Sequence, residues 1–486
     1  MALTTESAHA LSSLFYQARS AEETSQFGEA RRQYERLATT GGDTEEAWYA
    51  AYRMGRCSIE LGEWDAAVAQ LMRAWERRPE RAEPLYHLAR QARLRGDAHL
   101  AMLAAERAAR IPLPAADRLF IEVPAYTYGP LEEMSISAYH AGEPERGIAV
   151  IDALVHRHDV PEPVRELAGN NAVFYTQSLP AAWSAPIELT AEFGDLNYAP
   201  GNSTIWRDED GYLVIVRLRN YNQNDEIWSV SPDPDGHIRS RNAQLRLDHA
   251  FHIESSQEID CSLVEQLRPP SRSLIQGIED LRLVRWRDAW WFVACSCSFT
   301  PTGEPGLVLG RFDDAESRVD ALVPLSYTRS RMQEKNWTPF VHENRLFLIY
   351  SHDPLVILEP NLATGICREI HRATPELNLA RYRGSSAVVP YGDRHLFTVH
   401  EVPVVHGSRA YLHRFVEMDR QFQITRVSRL FNFWHLGDEY NCGMCLNHAG
   451  DALLLTCSYE DRQAWLVNLP LAELERMLLP VDALLG

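Results

Sequence analysis

The chain has 486 residues, 45% hydrophobic and 24% charged, the composition of a globular protein long enough for two or more domains. Its net charge of -19, from 67 acidic against 48 basic residues, works against a nucleic-acid partner, which needs a basic face. No run of about 20 apolar residues exists to cross a bilayer, and Met1 to Ser7 has neither a basic region nor an apolar signal core, so no membrane partner and a cytoplasmic location are expected.

Residues 1–175 carry helical periodicity and a repeat. Gly28-Glu29, Gly62-Glu63 and Gly96-Asp97 recur at one spacing, as do Tyr52 and Tyr86, Ala67 and Ala101, and Ala74 and Ala108. A further copy, Tyr139 to Glu143, follows an insertion around Pro112 to Pro130. A helix-turn-helix period of about 34 residues, with Gly at the turn and Ala where helices touch, is the tetratricopeptide pattern. Each helix pair has an apolar stripe that it buries only against its neighbours, so a helical solenoid is expected. Such a groove suits a peptide or protein partner; a brace for the rest of the chain is the other reading.

Residues 176–200 lose the periodicity, contain prolines and read as a linker. From 201 to 470 the pattern changes to short apolar strands between Gly, Asp, Asn and Pro turns. Five times a polar cluster precedes a strand: Asn202 before Tyr212 to Val216, Asp280 before Ala289 to Ala294, Asn336 before Leu346 to Tyr350, Ser385 before His395 to Val399, and Tyr440 before Leu453 to Thr456. Units of this length hold four strands each, which predicts a five-bladed β-propeller. Residues 471–486 read as a C-terminal helix. The fold class expected is therefore multidomain, an α solenoid followed by an all-β propeller.

The eight cysteines are scattered. Cys442-Gly443-Met444-Cys445 has zinc-like spacing but no second pair, so buried thiols are expected, with no metal and no cofactor.

In a propeller the inner strands converge on an axis, so each polar cluster contributes to one pocket. The candidates are Asn202; Glu279, Asp280 and Arg282; Lys335, Asn336 and Trp337; Arg383, Ser385, His400 and Glu401; and Asp438, Glu439 and Tyr440. Carboxylates suit the acid and nucleophile work of glycosyl transfer, with Asp280, Glu279 and Glu439 as catalytic candidates. The cations suit phosphate or carboxylate binding, and Trp337 or Trp434 suits stacking on a sugar face. The bland alternative for Asp280 and Arg282 is an inter-blade salt bridge.

Gly277-Ile278-Glu279-Asp280-Leu281-Arg282 resembles the Gly-Ile/Val-Glu-Asp-Pro-Arg motif of glycoside hydrolase family 130, the mannoside phosphorylases and related β-mannoside enzymes. Gly201-Asn202-Ser203, Lys335-Asn336 and Arg383-Gly384-Ser385 resemble further segments of that family. The resemblance spans roughly residues 200 to 465. It implies a five-bladed propeller, Asp280 as general acid with inversion, and Arg282, Lys335 and Arg383 as phosphate or sugar ligands. The function expected is an inverting glycosidase, glycoside phosphorylase or glycosyl transferase on a mannoside-like or glycosylated substrate, with inorganic phosphate as a candidate partner. The alternatives are a non-catalytic sugar- or peptide-binding scaffold that partners a glycosyltransferase, and a pure interaction scaffold.

Overall fold

Helical repeats and strand repeats bury apolar surface in different ways, and the chain separates accordingly. The computed structural model describes residues 5–42, 44–115, 119–189, 198–224, 227–230, 237–270, 273–405 and 407–486. One unit is Met1–Tyr175 with Gly486; the other is Thr176–Leu485. The protein pairs a tetratricopeptide-like helical solenoid with a five-bladed β-propeller.

Among the described residues the first unit holds α1 (Thr5–Glu23), α2 (Phe27–Thr40), α3 (Glu45–Glu60), α4 (Trp64–Arg77), α5 (Glu83–Leu94), α6 (Ala98–Ala109), α7 (Gly129–Ala141), α8 (Pro144–His156) and α9 (Glu162–Asn171). Consecutive helices form antiparallel hairpins. Ala67, Ala74, Ala101 and Ala108 are fully buried, which lets the helix backbones approach closely. Thr44 caps α3 by accepting from the Ala47 amide at 3.2 Å, and Glu45 and Glu46 sit at the positive end of its dipole. The turn between hairpin arms takes a left-handed residue at Gly62, Gly96 and Gly142. In the first hairpin that residue is Ser25, while Gly28 lies inside α2. The Gly28 landmark is thus out of structural register, because a polar residue makes the turn there.

Among the described residues the second unit contains five blade sheets and two two-stranded ones, Tyr221–Asn224 with Ile227–Val230 and Val404–Val405 with Ser408–Arg409. Blade one comprises Ala199–Arg207, Tyr212–Arg219, Ile238–Leu247 and Ile253–Glu258; blade two comprises Glu279–Trp286, Ala289–Ser296, Gly306–Asp313 and Arg318–Pro324. Blade three is Thr338–His342, Arg345–His352, Leu355–Pro360 and Cys367–Ala373. Blade four opens on two short strands, Arg383–Gly384 and Val389–Tyr391, before Arg394–Glu401, Leu412–Met418 and Ile424–Ser428. Blade five is Glu439–Leu446, Ala452–Tyr459 and Gln463–Pro470.

The second strands are largely buried because neighbouring blades cover both their faces: every residue of Tyr212–Arg219 is buried. The cores lie between blades. Leu213 and Ile215 pack with Phe292 of blade two, Leu309 with Leu348 of blade three, and Phe347 with Phe397 of blade four. Phe415 packs with Leu455 of blade five, and Leu454 with Val214 of blade one, which closes the ring.

Two segments depart from expectation. Within 176–200, read as a linker, Trp183–Pro186 is the outer strand of blade five, and Gln177–Ser178 pairs in parallel with Phe431–Asn432. A four-residue strand whose partner lies far downstream has no local signature. The segment 471–486 is not one helix either. Leu471–Met477 and Val481–Leu485 are helical, and Leu478–Pro480 between them pairs with Ile424–Ser428 on the edge of blade four. Both ends of the unit are therefore stitched into sheets, covering edges that invite association.

Candidate active site

The opening strands of blades one, two, three and five lie against one another, so their first residues meet although they are far apart in sequence. Two local devices aim the side chains. Asp280 has a left-handed φ of 54° at a register shift between Glu279 and Arg282, a bulge that re-aims its carboxylate. Asn336 is also left-handed, with φ 63°; Asp and Asn tolerate this conformation better than most residues. Gly384 explains the Arg-Gly segment: a Cβ there would lie 2.3 Å from the Asn336 carbonyl and the Thr338 hydroxyl, so only glycine lets blade four approach blade three.

Arg282 is the hub. It is fully buried, and Nε donates to the Ser385 carbonyl at 2.6 Å. Nη1 donates to the Asp280 carbonyl at 3.1 Å, and Nη2 to Asn336 Oδ1 at 3.1 Å and the Tyr440 hydroxyl at 2.5 Å. Tyr440 in turn donates to Asn336 Oδ1 at 3.0 Å. One planar fork thereby ties blades two, three, four and five together. The expectation that Arg282 binds phosphate or sugar directly is corrected, since its donors face inward and none of its surface is exposed.

Asp280 Oδ1 accepts from Asn202 Nδ2 at 2.7 Å and Arg217 Nη1 at 3.2 Å. Its other oxygen has no hydrogen-bond partner among the described residues. Arg217 also reaches Glu279 at 2.8 Å, and Ser240 donates to Glu279 at 3.0 Å. Burial raises the pKa of a carboxyl group; at Asp280 the Arg217 and Arg282 guanidiniums, the Asn202 amide and Lys335 outweigh burial and hold it below its ordinary value. Asp438 goes the other way. Burial, then repulsion from Asp461, raises its pKa to about 6 against the pull of Arg219 and Arg409, and Asp280 adds to the rise.

Ser385 Oγ lies 2.8 Å from His400 Nδ1. Burial, then His413, Arg383 and Arg282, push the His400 pKa well down, so the ring is neutral. Tyr440 stands edge-on to His400, with ring centres 5.1 Å apart, and Tyr411 stands edge-on to Tyr440 at 6.0 Å. Lys335 and Arg383 are exposed. They line a polar cavity of about 440 Å³ together with Asn336, Tyr350, Asp353 and Tyr382. Neither side chain has a hydrogen-bond partner among the described residues, although Lys335 acts electrostatically on Asp280.

Three candidates stand apart from the cluster. Glu439 is fully buried, and its carboxylate accepts from the backbone amides of Phe433 (2.6 Å), Trp434 (3.0 Å) and His435 (2.7 Å). It anchors a loop, and a catalytic role is not supported. Trp337 is buried in the core between blades two and three, its indole N–H donating to Glu334 at 3.0 Å, so it offers no face to a sugar. Glu401 is buried and held by Arg381 at 3.0 Å and Arg414 at 3.1 Å, behind the cluster. The cysteines are free, and burial lifts the thiols of Cys442 and Cys445 to about 12.

Sequence reasoning missed several members. Arg217 and Arg219 follow the apolar run Tyr212 to Val216 at alternate positions, so they share one face of a buried strand. Two arginines in such a strand signal an acidic partner. Asp461 occupies a left-handed turn position (φ 51°) and pairs with Arg219 at 3.4 Å. The clearest missed signal is a count: of the 48 Lys and Arg residues one is lysine, and it is Lys335.

No family model matches the chain, and no curated protein matches it. Among solved structures it is similar to MPT-4, a mannose phosphorylase from Leishmania mexicana in complex with phosphate ion, at 8% identity over 60% of this chain and 89% of that one, with a TM-score of 0.39. It is similar to MPT-1, a GDP-Man-dependent mannosyltransferase from Leishmania mexicana, at 8% identity over 60% and 90%, TM-score 0.40. It is also similar to the TPR-like repeats of a Podosopora anserina putative kinesin light chain, at 18% identity over 34% and 85%, TM-score 0.27. Among the described residues no helix is long and apolar enough to cross a membrane.

Proposed function

We propose that the propeller is a carbohydrate-active enzyme that transfers a glycosyl group with inversion, acting on a mannoside-like substrate through the Asp280 cluster. The observation that carries this reading is two carboxylates of opposite bias, Asp280 acting electrostatically on Asp438, with two exposed cations that have no hydrogen-bond partner among the described residues, Lys335 acting on Asp280. Groups whose surroundings push their pKa values apart are matched to acid and base work. Asp438, with a pKa of about 6, is the proton donor, and Asp280 is the ionised partner. This reverses the general-acid role that the motif resemblance implies for Asp280. Lys335 and Arg383 hold an anionic group, inorganic phosphate as nucleophile or a phosphate on the substrate. A chain that otherwise uses arginine throughout keeps a compact, rotatable ammonium at this one place. The mannoside class follows from the resemblance of residues 277–282. The solenoid recruits a peptide or protein partner.

The test is turnover of a panel of β-mannosides with and without inorganic phosphate. Asp280→Asn abolishes turnover while the fold persists; normal turnover by that variant overturns the reading. Asp438→Asn removes the inflection near pH 6 from the pH-rate profile. A second reading, binding without catalysis, draws on the Asp280–Arg217 ion pair. It requires calorimetric sugar binding that survives Asp280→Asn, with no product from any donor.

A further inference from the structure

Between α6 and α7, Leu119 to Thr127 lies across three helices of the solenoid, α1, α3 and α5. Its backbone is held by charged side chains, two of them fully buried. The Leu119 amide donates to Glu45 at 2.7 Å, the Leu119 carbonyl accepts from Arg81 at 3.2 Å, and the Glu122 amide donates to Glu83 at 3.2 Å. Arg81 and Glu83 are fully buried and paired at 2.9 Å, with Arg81 stacked over Trp48. Such a clamp reads main chain, and Glu83 also accepts from the Tyr126 hydroxyl at 2.6 Å.

Two further side chains of the stretch are read as well. Phe120 stacks on Phe15 of α1, with ring centres 5.9 Å apart, and meets Tyr49 of α3 at 4.8 Å, while Arg19 lies 4.7 Å over its face. Two residues on, Glu122 accepts from the Tyr52 hydroxyl of α3 at 2.5 Å and lies 2.6 Å from His87 Nε2 of α5, with Arg56 4.0 Å away. Tyr49, Tyr52 and Arg56 recur at helical spacing on one side of α3. Phe120 is 40% exposed and left-handed, with φ 46°, so neither burial nor backbone preference explains its position.

We infer that the solenoid carries a peptide site for an extended aromatic-x-glutamate segment, and that the chain's own Phe120-Ile121-Glu122 occupies it as an internal surrogate. A backbone clamp flanked by an aromatic pocket and a carboxylate pocket is the layout of a peptide receptor. The tethered segment competes at the high effective concentration of a short linker, so a partner presenting the same pattern binds when the segment is displaced. The inference rests on the recruitment reading of the solenoid and is independent of the propeller's chemistry.

The experiment uses the full chain and a fluorescent peptide of the sequence Leu119 to Thr127, read by anisotropy. Two proteins have the site vacated: Phe120→Ala/Glu122→Ala, and the shape-preserving Glu122→Gln, which serves if the first fails to fold. Both bind the peptide roughly tenfold or more tightly than the unaltered chain does, and peptides with Phe replaced by Ala or Glu by Gln lose that gain. A folded vacated protein that binds no better than the unaltered chain overturns both the site and recruitment through it. Equal binding of all three peptides overturns the aromatic-x-glutamate rule while recruitment stands.

Discussion

Both units organise themselves around a fully buried arginine, and they differ in what is left over. In the solenoid, Arg81 pairs with Glu83 two residues away and grips one neighbouring segment; the Glu122 carboxylate that this segment carries is met by Tyr52 and His87. In the propeller, Arg282 draws partners from blades three, four and five, separated from it by 54 to 158 residues. The charges around it do not close: Asp280 keeps one oxygen without a hydrogen bond among the described residues, and Lys335 and Arg383 face a cavity. Closed charge holds structure, whereas unclosed charge in a cavity is available to a ligand.

The comparison is broken most directly at the hubs. Removing one partner of a buried, hydrogen-bonded charge costs about 3–5 kcal/mol. Arg282→Met is expected to lose that much by chemical denaturation, with the propeller unfolding as one body because four blades share the residue. Arg81→Met is expected to lose a similar amount while also releasing Leu119 to Thr127 to proteolysis. If Arg282→Met left the unfolding midpoint unchanged, the hub would be a passive filler and the convergence around it incidental.

Acid sharpens the contrast on a smaller scale. Burial holds His352 and His413 at about 4, as it does His395 with help from His342, and it pushes His400 well below its ordinary value. Unfolded, each returns to 6.5. Between these values the unfolded chain binds more protons, so stability is lost as pH falls from about 6.5 toward 4. Asp438, raised to about 6, contributes with the opposite sign. Burial depresses His87 of the solenoid in the same direction, and the four propeller rings are expected to lower the propeller's melting point between pH 7 and pH 5. Calorimetry at the two values checks it, and a propeller midpoint that stays flat would mean the rings titrate near 6.5.

Period and alternation were enough to read the architecture, since helical spacing and apolar strands report burial directly. Of the cluster, Asp280, Asn202, Asn336, Ser385 and Tyr440 were legible because each opens a strand unit. Arg217 was not, because the apolar run was closed one residue too early, at Val216. Glu439 and Trp337 were over-read: residue type and position matched a site, but only coordinates show a carboxylate bound to three amides and an indole inside an inter-blade core. Trp183–Pro186 was illegible in principle, because its pairing with Gln463–Pro470 is a long-range fact. The insertion before α7 shows in the sequence as a break in the repeat; that Leu119 to Thr127 lies on α1, α3 and α5 depends on contacts, not on pattern.

The smallest stability effect tests the left-over charge most sharply. Lys335 and Arg383 are exposed and hydrogen-bond no side chain among the described residues, so Lys335→Ala and Arg383→Ala are expected to change stability by no more than about 0.5 kcal/mol. The same substitutions weaken binding of inorganic phosphate or a sugar phosphate, because an ammonium and a guanidinium beside a polar cavity are the groups that recognise such an anion. Since Lys335 is the chain's one lysine, reductive methylation with labelled formaldehyde gives a single side-chain resonance. That resonance shifts on addition of phosphate if the ammonium touches it, and it disappears in Lys335→Ala. A resonance indifferent to phosphate and to sugar phosphates, in a protein whose Arg282 network is intact, would place the ammonium among ordinary surface charges and leave the propeller's centre as closed as the solenoid's.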